Sequence, residues 1–211
     1  MAVQSTTLAG ILEIPAASLT DAHLSGNANI SRTKQALNSQ DYFGIPVHLW
    51  RQVAAGHPVL GTAGSTNLGV GTAAAGATGV DVRTSPSNGT TITQTAMFEF
   101  YLPPEYAATT NIYASFWAAM NVISSASCTL DITAYKVGTD GAHGSDLNST
   151  SAIDIRTVTY AERVFTIDGS GLSPGDKLEI YVTVAATDGG GAGTDKYAKI
   201  VKTGVKCDCR G

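Results

Sequence analysis

Apolar and polar positions alternate through most of the second half of the chain. Over residues 90–102, Ala96, Phe98, Phe100 and Leu102 share one side, with Met97, Glu99 and Tyr101 opposite. Residues 112–122 set Ile112, Ala114, Phe116, Ala118 and Met120 against Tyr113, Ser115, Trp117 and Ala119. Residues 127–137 set Cys128, Leu130, Ile132 and Ala134 against Thr129, Asp131, Thr133 and Tyr135, and residues 177–186 repeat the pattern with Leu178, Ile180, Val182 and Val184. Weaker strands are expected near 152–159 and 162–167, and a closing strand over 196–209. Pro103-Pro104, the loop from Asp140-Gly141 to Ser151, Ser173-Pro174-Gly175-Asp176 and the glycine loop 188–195 separate them. A period of two with frequent turns marks half-buried strands. No segment between them is long and periodic enough to be the crossover helix that parallel strands need. The expected class is all-β: an antiparallel, jelly-roll-like β-sandwich.

The first half is less regular. Residues 42–62 carry Tyr42, Phe43 and Trp50, while Pro46 and Pro58 confine the segment to an edge strand or an irregular wrap. Residues 63–89 are rich in Gly, Ala and Thr, with short strands expected at 66–70 and 79–83 and a hairpin turn at Ser87-Asn88-Gly89. Residues 1–41 read differently again. Leu12, Ile14, Leu19, Leu24, Ile30 and Leu37 are spread among small polar residues without a sustained period. Short helices are expected at 18–24 and at 31–37, the latter capped by Ser31. The expected organisation is an N-terminal arm, 1–41, before a sandwich domain, 42–211, in which 42–89 wraps and edges the main strands of 90–211. Leu12, Ile14, Leu19, Leu24, Ile30 and Leu37 would anchor the arm to a neighbouring surface or to its own domain.

Composition sharpens this. Only 14% of the residues are charged, against roughly a quarter in an average soluble domain. Such a surface suits a subunit covered by partners better than a solitary globule. A net charge of −4 with scattered Lys and Arg offers no track for a phosphate backbone, so no nucleic-acid partner is expected. No run approaches the roughly 20 apolar residues of a membrane span. The start, MAVQSTTLAG, lacks the pattern of a secretory leader, so cytoplasmic synthesis is expected.

Candidate chemistry is sparse. His23, His48, His57 and His143 fall in four different segments with no paired spacing, and there is neither a GxSxG elbow nor a lysine in the Gly61–Thr66 stretch. No enzyme activity and no cofactor are expected. Gly190-Gly191-Ala192-Gly193-Thr194-Asp195 matches a calcium-binding nonapeptide core, but a single copy cannot complete the ion's oxygen shell. Asp140 and Asp146 share a loop that could hold calcium or simply be a solvated turn. Asp131 and Glu179 point outward, and a glycosidase would need two carboxylates about 5 Å apart. Cys128 reads as a core thiol. Cys207 and Cys209 share one side of the closing strand, open to a disulfide, a shared metal or plain packing. Tyr113, Trp117 and Tyr135 lie opposite the aliphatic rows. They would make a sugar-stacking platform, the centre of a subunit contact, or a face covered within the monomer.

The order of segments carries a resemblance. The arm IPAASLTDAHLSGNANISRTKQAL precedes the aromatic wrap, FEFYLPPEY, AYKVGTDGAHGSDL and GLSPGDKLEIYVTV, and the chain closes on CDCRG. This resembles the β-sandwich virion structural proteins of tailed bacteriophages, in particular head decoration or cement proteins. The resemblance implies a non-enzymatic virion subunit, a homotrimer, whose arm grips the major capsid protein and whose sandwich faces outward at the capsid surface. A tail-fibre, baseplate or head-fibre subunit is the alternative within that setting. A carbohydrate-binding module that takes a host glycan is the alternative outside it.

Overall fold

The computed structural model describes residues 39–72, 80–87, 89–122, 125–188 and 196–210. The six arm anchors, the two expected helices, and the GGxGxD loop all lie outside these residues. Twelve strands run in chain order: β1 Ser39–Gly44, β2 Arg51–Gln52, β3 Gly69–Thr72, β4 Val80–Arg83, β5 Thr91–Tyr101, β6 Ile112–Met120, β7 Ser125–Val137, β8 His143–Asp146, β9 Ile153–Asp154, β10 Ala161–Ile167, β11 Lys177–Asp188 and β12 Ala198–Cys209. These are the strands of the described residues, and among those residues one short 3-10 turn, Val47–Leu49, interrupts them.

The strands form two antiparallel sheets. The first runs β10-β6-β12-β4-β3, with β1 also on β12; the second runs β2-β5-β11-β7-β8, with β9 also on β7. From β4 onward the chain passes repeatedly from one sheet to the other, which is the jelly-roll habit expected from the alternation. β5 and β11 pair along eleven positions, from Tyr101↔Lys177 to Thr91↔Thr187. Both carry their aliphatic sides to the same place, and a slip of one residue would turn every one of them outward.

Between the sheets lies one core. Trp50, Phe98, Phe116 and Phe165 are fully buried at its centre. Their rings meet at tilted or edge-on angles, with centroids 5.2 Å apart for Trp50–Phe98 and 5.9 Å for Phe116–Phe165. Losing one such ring costs about 3–5 kcal/mol, because the surrounding atoms relax only in part. At the rim Lys196 and Asp188 form an ion pair with both side chains almost fully enclosed. Gly175 takes φ +83 in the SPGD turn, where Ser173 N–H donates to the Asp176 carboxylate.

The sequence expectations need adjustment. The turn expected at Ser87-Asn88-Gly89, of which Asn88 lies outside the described residues, closes no hairpin, because β4 and β5 belong to different sheets. The first strand begins at Ser39 rather than after residue 41, because residues 39–44 pair fully with β12. The 140–151 loop contains the edge strand β8, a run of four exposed residues that no alternation could reveal. The strand near 152–159 shrinks to Ile153–Asp154. Among the described residues no helix is long and apolar enough to cross a membrane.

Candidate binding face

The outer side of the first sheet is built around an irregularity in β12. Lys199 and Lys202 are three residues apart, so strict alternation would place them on opposite sides. The register against β6 shifts between Ile200 and Lys202, leaving Val201 as an extra residue; Lys199 then pairs Ala119 and Lys202 pairs Trp117. A bulge of this kind restores the phase of the strand and re-aims its side chains. Lys199, Lys202 and Lys206 consequently share the outer side with Tyr113 and Trp117 of β6.

A recess opens beside the bulge. β1 follows β12 as far as Gly44↔Gly204 and then departs at Pro46, whose nitrogen has no hydrogen to donate. β4 takes up the same edge of β12 only at Ile200. On that edge the stretch 201–203 is left without a paired strand, apart from one bond from Ile45 N–H to the Thr203 carbonyl. The resulting cavity, about 370 Å³, is lined chiefly by Tyr42, Ile45, Pro46, Val82, Val201 and Lys202.

Tyr42 walls the cavity, and Trp117 lies outside it across Lys202. Tyr42 lies over Gly204, so closely that a Cβ there would sit 2.2 Å from the ring. Only glycine leaves room for that ring. Tyr42 and Trp117 are exposed, at 40% and 36% of their surfaces. The Lys202 ammonium stands 4.9 Å from the Tyr42 centroid and 5.9 Å from that of Trp117. A cation over an aromatic face is attracted by the ring's quadrupole, by about 0.5–1 kcal/mol when exposed.

A second ring–cation group lies on the same strand. Tyr197, just before β12, has the Arg83 guanidinium 5.0 Å and the Lys199 ammonium 5.1 Å from its centroid. Arg83 also grips Asp81 with two bonds, of 2.6 and 2.8 Å. That hydrogen bonding raises the Arg83 pKa and outweighs burial, which lowers it. Lys206 bonds Glu162 at 2.6 Å and holds that carboxyl below its usual range. Among the described residues neither Lys199 nor Lys202 has a carboxylate in ion-pair reach.

The expected aromatic trio does not form one platform. Tyr113 and Trp117 are on the outer side of the first sheet, and Tyr135 is on the outer side of the second, because β6 and β7 belong to different sheets. Tyr135 stacks on His143, with ring centroids 4.8 Å apart and planes 7° from parallel, and meets Tyr181 edge-on. Beneath them Glu179 is buried, bonded to His143 at 2.7 Å and to Lys177 at 3.0 Å. Burial pushes the Glu179 carboxyl up, but Lys177 and His143 pull it further down, so its pKa is lowered. Lys177 also reaches Glu99, at 2.7 Å, directly across from Glu179.

The remaining candidates fall to ordinary structural roles. Asp131 pairs across from Thr183 and stands apart from Glu179, which faces Tyr135. Asp140 accepts the Ala142 N–H, and Asp146 accepts those of Ala134 and Asn148, so both carboxylates serve the backbone. Cys207 and Cys209 are buried with their sulfurs 3.8 Å apart; burial pushes the thiols of Cys207 and Cys128 up to about 12. Among the described residues no three His, Cys, Asp or Glu side chains gather to hold a metal.

Tyr42, Lys199, Lys202 and Tyr197 did not stand out in the sequence. The signal for the lysines was present: Ile200-Val201 breaks the alternation of β12. The approach of Tyr42 to Gly204 depends on a pairing between the two ends of the sandwich domain and leaves no local trace.

No protein-family model matches the chain, and no curated protein sequence matches it. Solved structures share its layout at low identity. The xylan-binding module CBM15 aligns over 82% of this chain and 100% of its own length, with a TM-score of 0.49 and 14% identity. The CBM22-1 xylan-binding domain of Paenibacillus barcinonensis Xyn10C aligns over 79% and 97%, with a TM-score of 0.41 and 14% identity. An arabinose-bound α-L-arabinofuranosidase aligns over 76% of this chain, which spans 23% of that enzyme, with a TM-score of 0.44 and 12% identity. These are likenesses of sandwich layout, and the functional reading below stands on the surface of this chain.

Proposed function

We propose that the protein is a non-catalytic glycan-binding β-sandwich whose binding face is the outer side of the first sheet. The carrying observation is the pair of exposed rings, Tyr42 and Trp117, set beside an apolar recess with Lys202 between them. A pyranose has flat faces of polarised C–H bonds and a rim of hydroxyls. The first fits against the negative face of an aromatic ring, and the second finds donors and acceptors in Lys202, Lys206 and Glu162. Backbone holds both rings in place: Trp117 through β6, Tyr42 through its seat on Gly204. The test is binding to a panel of soluble polysaccharides by affinity electrophoresis, using wild type and a Tyr42→Ala/Trp117→Ala variant that melts normally. Retardation by at least one glycan, lost in the variant, is expected; no glycan retarding the wild type would sink the reading.

The low charge content favours a second setting for the same molecule, a virion subunit bridging copies of the major capsid protein as a homotrimer. The anchors of that reading, Leu12 to Leu37, lie outside the described residues. Deleting residues 1–38, which spares β1, and measuring cosedimentation with empty heads tests it. Unchanged binding would reject the arm as the attachment. Glycan binding at the sandwich is compatible with either setting.

A further inference from the structure

Resting on the glycan reading, we infer that the ligand is an acidic polysaccharide, and that Lys199 and Lys202, placed side by side by the bulge at Val201, select the carboxylate of a uronic acid unit. Among the described residues four cations lie along this face. Arg83 is paired with Asp81, and Lys206 with Glu162. The other two stand against ring faces with no carboxylate of the described residues in ion-pair reach, Lys199 on Tyr197 and Lys202 on Tyr42 and Trp117. Glu162 feels the Lys202 charge only at longer range. A chain with so few charged residues and a net charge of −4 thus carries two ammonium groups outside any ion pair of the described residues, on a face with exposed rings and a recess.

The bulge is what makes them neighbours on that face. Were Val201 instead a regular member of the alternation, with no register shift, one lysine would point into the core, where an unpaired charge is too costly to persist. With it, both flank the line of rings formed by Tyr197, Trp117 and Tyr42. A uronic acid matches this layout because its carboxylate is attached at the ring edge. One sugar can lay its flat side on Trp117 or Tyr42 while its edge charge meets an ammonium. The aromatic contacts that hold the lysines are weak enough to be exchanged for an ion pair. A nucleic acid strand would also stack and pair, but it needs a groove of cations tracking the phosphates, and two do not make one.

The experiment compares polygalacturonate and alginate with fully methyl-esterified polygalacturonate, which keeps the sugar backbone and removes its charge. Neutral xylan and dextran, heparin, and a 20-nucleotide oligothymidylate complete the panel. The expected result at low salt is a preference for uronate polymers of about fivefold to tenfold over the ester, as two exposed ion contacts would give. High salt should erase the preference by screening. Lys199→Gln/Lys202→Gln should bring the acid-to-ester ratio near one, and Lys202→Arg should retain it. Equal binding of acid and ester, a ratio unchanged in the glutamine variant, or stronger binding of the oligonucleotide would each overturn the inference; heparin, which carries uronate as well as sulfate, should bind and should lose its binding in the glutamine variant. Binding to neutral glycans alone overturns it too while leaving the glycan reading intact; binding to nothing in the panel removes both.

Discussion

The two outer faces of the sandwich use similar residues to opposite ends. On the second sheet Tyr135, His143 and Tyr181 pack against one another over Glu179, and Lys177 is shared between Glu179 and Glu99. Glu179, Lys177, His143 and Glu99 are each answered by a neighbour, and two of the three rings have spent a flat side on each other. Tyr101 alone stays open there, at 61% exposure, next to Lys177. On the first sheet Tyr42, Trp117 and Tyr197 meet cations instead of other rings, and among the described residues two of those cations, Lys199 and Lys202, form no ion pair. The difference teaches that aromatic content does not define a binding surface. What matters is whether ring faces and charges are closed upon each other or left for a partner.

The largest expected effect separates the faces directly. Trp117→Ala should weaken glycan binding by more than about thirtyfold, the loss of an aromatic anchor worth about 2 kcal/mol or more, whereas Tyr135→Ala should leave the affinity unchanged. Titration calorimetry on the two variants checks this, and equal losses would erase the distinction. Next comes Gly204→Ala. The added methyl drives Tyr42 from its seat, so affinity should fall about tenfold while stability changes by no more than about 1 kcal/mol, since a surface ring can swing away. A collapse of the fold instead would mean that Tyr42 is structural.

The closed face should show itself in stability rather than binding. Glu179 has a lowered pKa in the folded chain. Its contribution is therefore complete above the ordinary carboxyl range and is lost as pH falls through the lower folded value. Lys177, His143, Glu99, Tyr135 and Tyr181 surround it, and the first two supply the attraction. Glu179→Gln should cost about 1–3 kcal/mol at neutral pH by unmaking charged hydrogen bonds. The cost should shrink in acid, and denaturant melts at several pH values will show whether the two curves converge. The smallest effect is expected from Lys206→Ala. Its bond to Glu162 is exposed on the open face, so the loss should stay below about 0.5 kcal/mol, within reach of paired chemical melts.

Much of the sandwich was legible in the sequence because its long strands each bury one side. Phe98, Phe116, Ile132 and Ile180 announce their faces by parity alone, and the SPGD turn names its own geometry. Edge elements were harder. His143–Asp146 is a strand only because Val137 and Tyr135 offer it an edge, and nothing in four exposed residues records that. The binding face was half visible. Trp117 and Tyr113 were marked by their position opposite an aliphatic row, but parity within a strand does not say which sheet the strand joins, and so Tyr135 was grouped with them. Tyr42 reaches its place through a pairing 162 residues distant in sequence, Tyr42 with Gly204 being visible only once β1 lies on β12.

The extra residue at Val201 also sets a rule for how this chain can vary. Upstream of it even-numbered positions such as Ala198 and Ile200 are interior, and downstream odd-numbered ones, Val205, Cys207 and Cys209, take over. Excising that single valine would therefore leave every remaining side chain on its present side, because Ile200 and Lys202 already face the consecutive residues Ala118 and Trp117 of β6. The strand would lose its bulge and run in plain alternation. Substitution and deletion at 201 should both be tolerated.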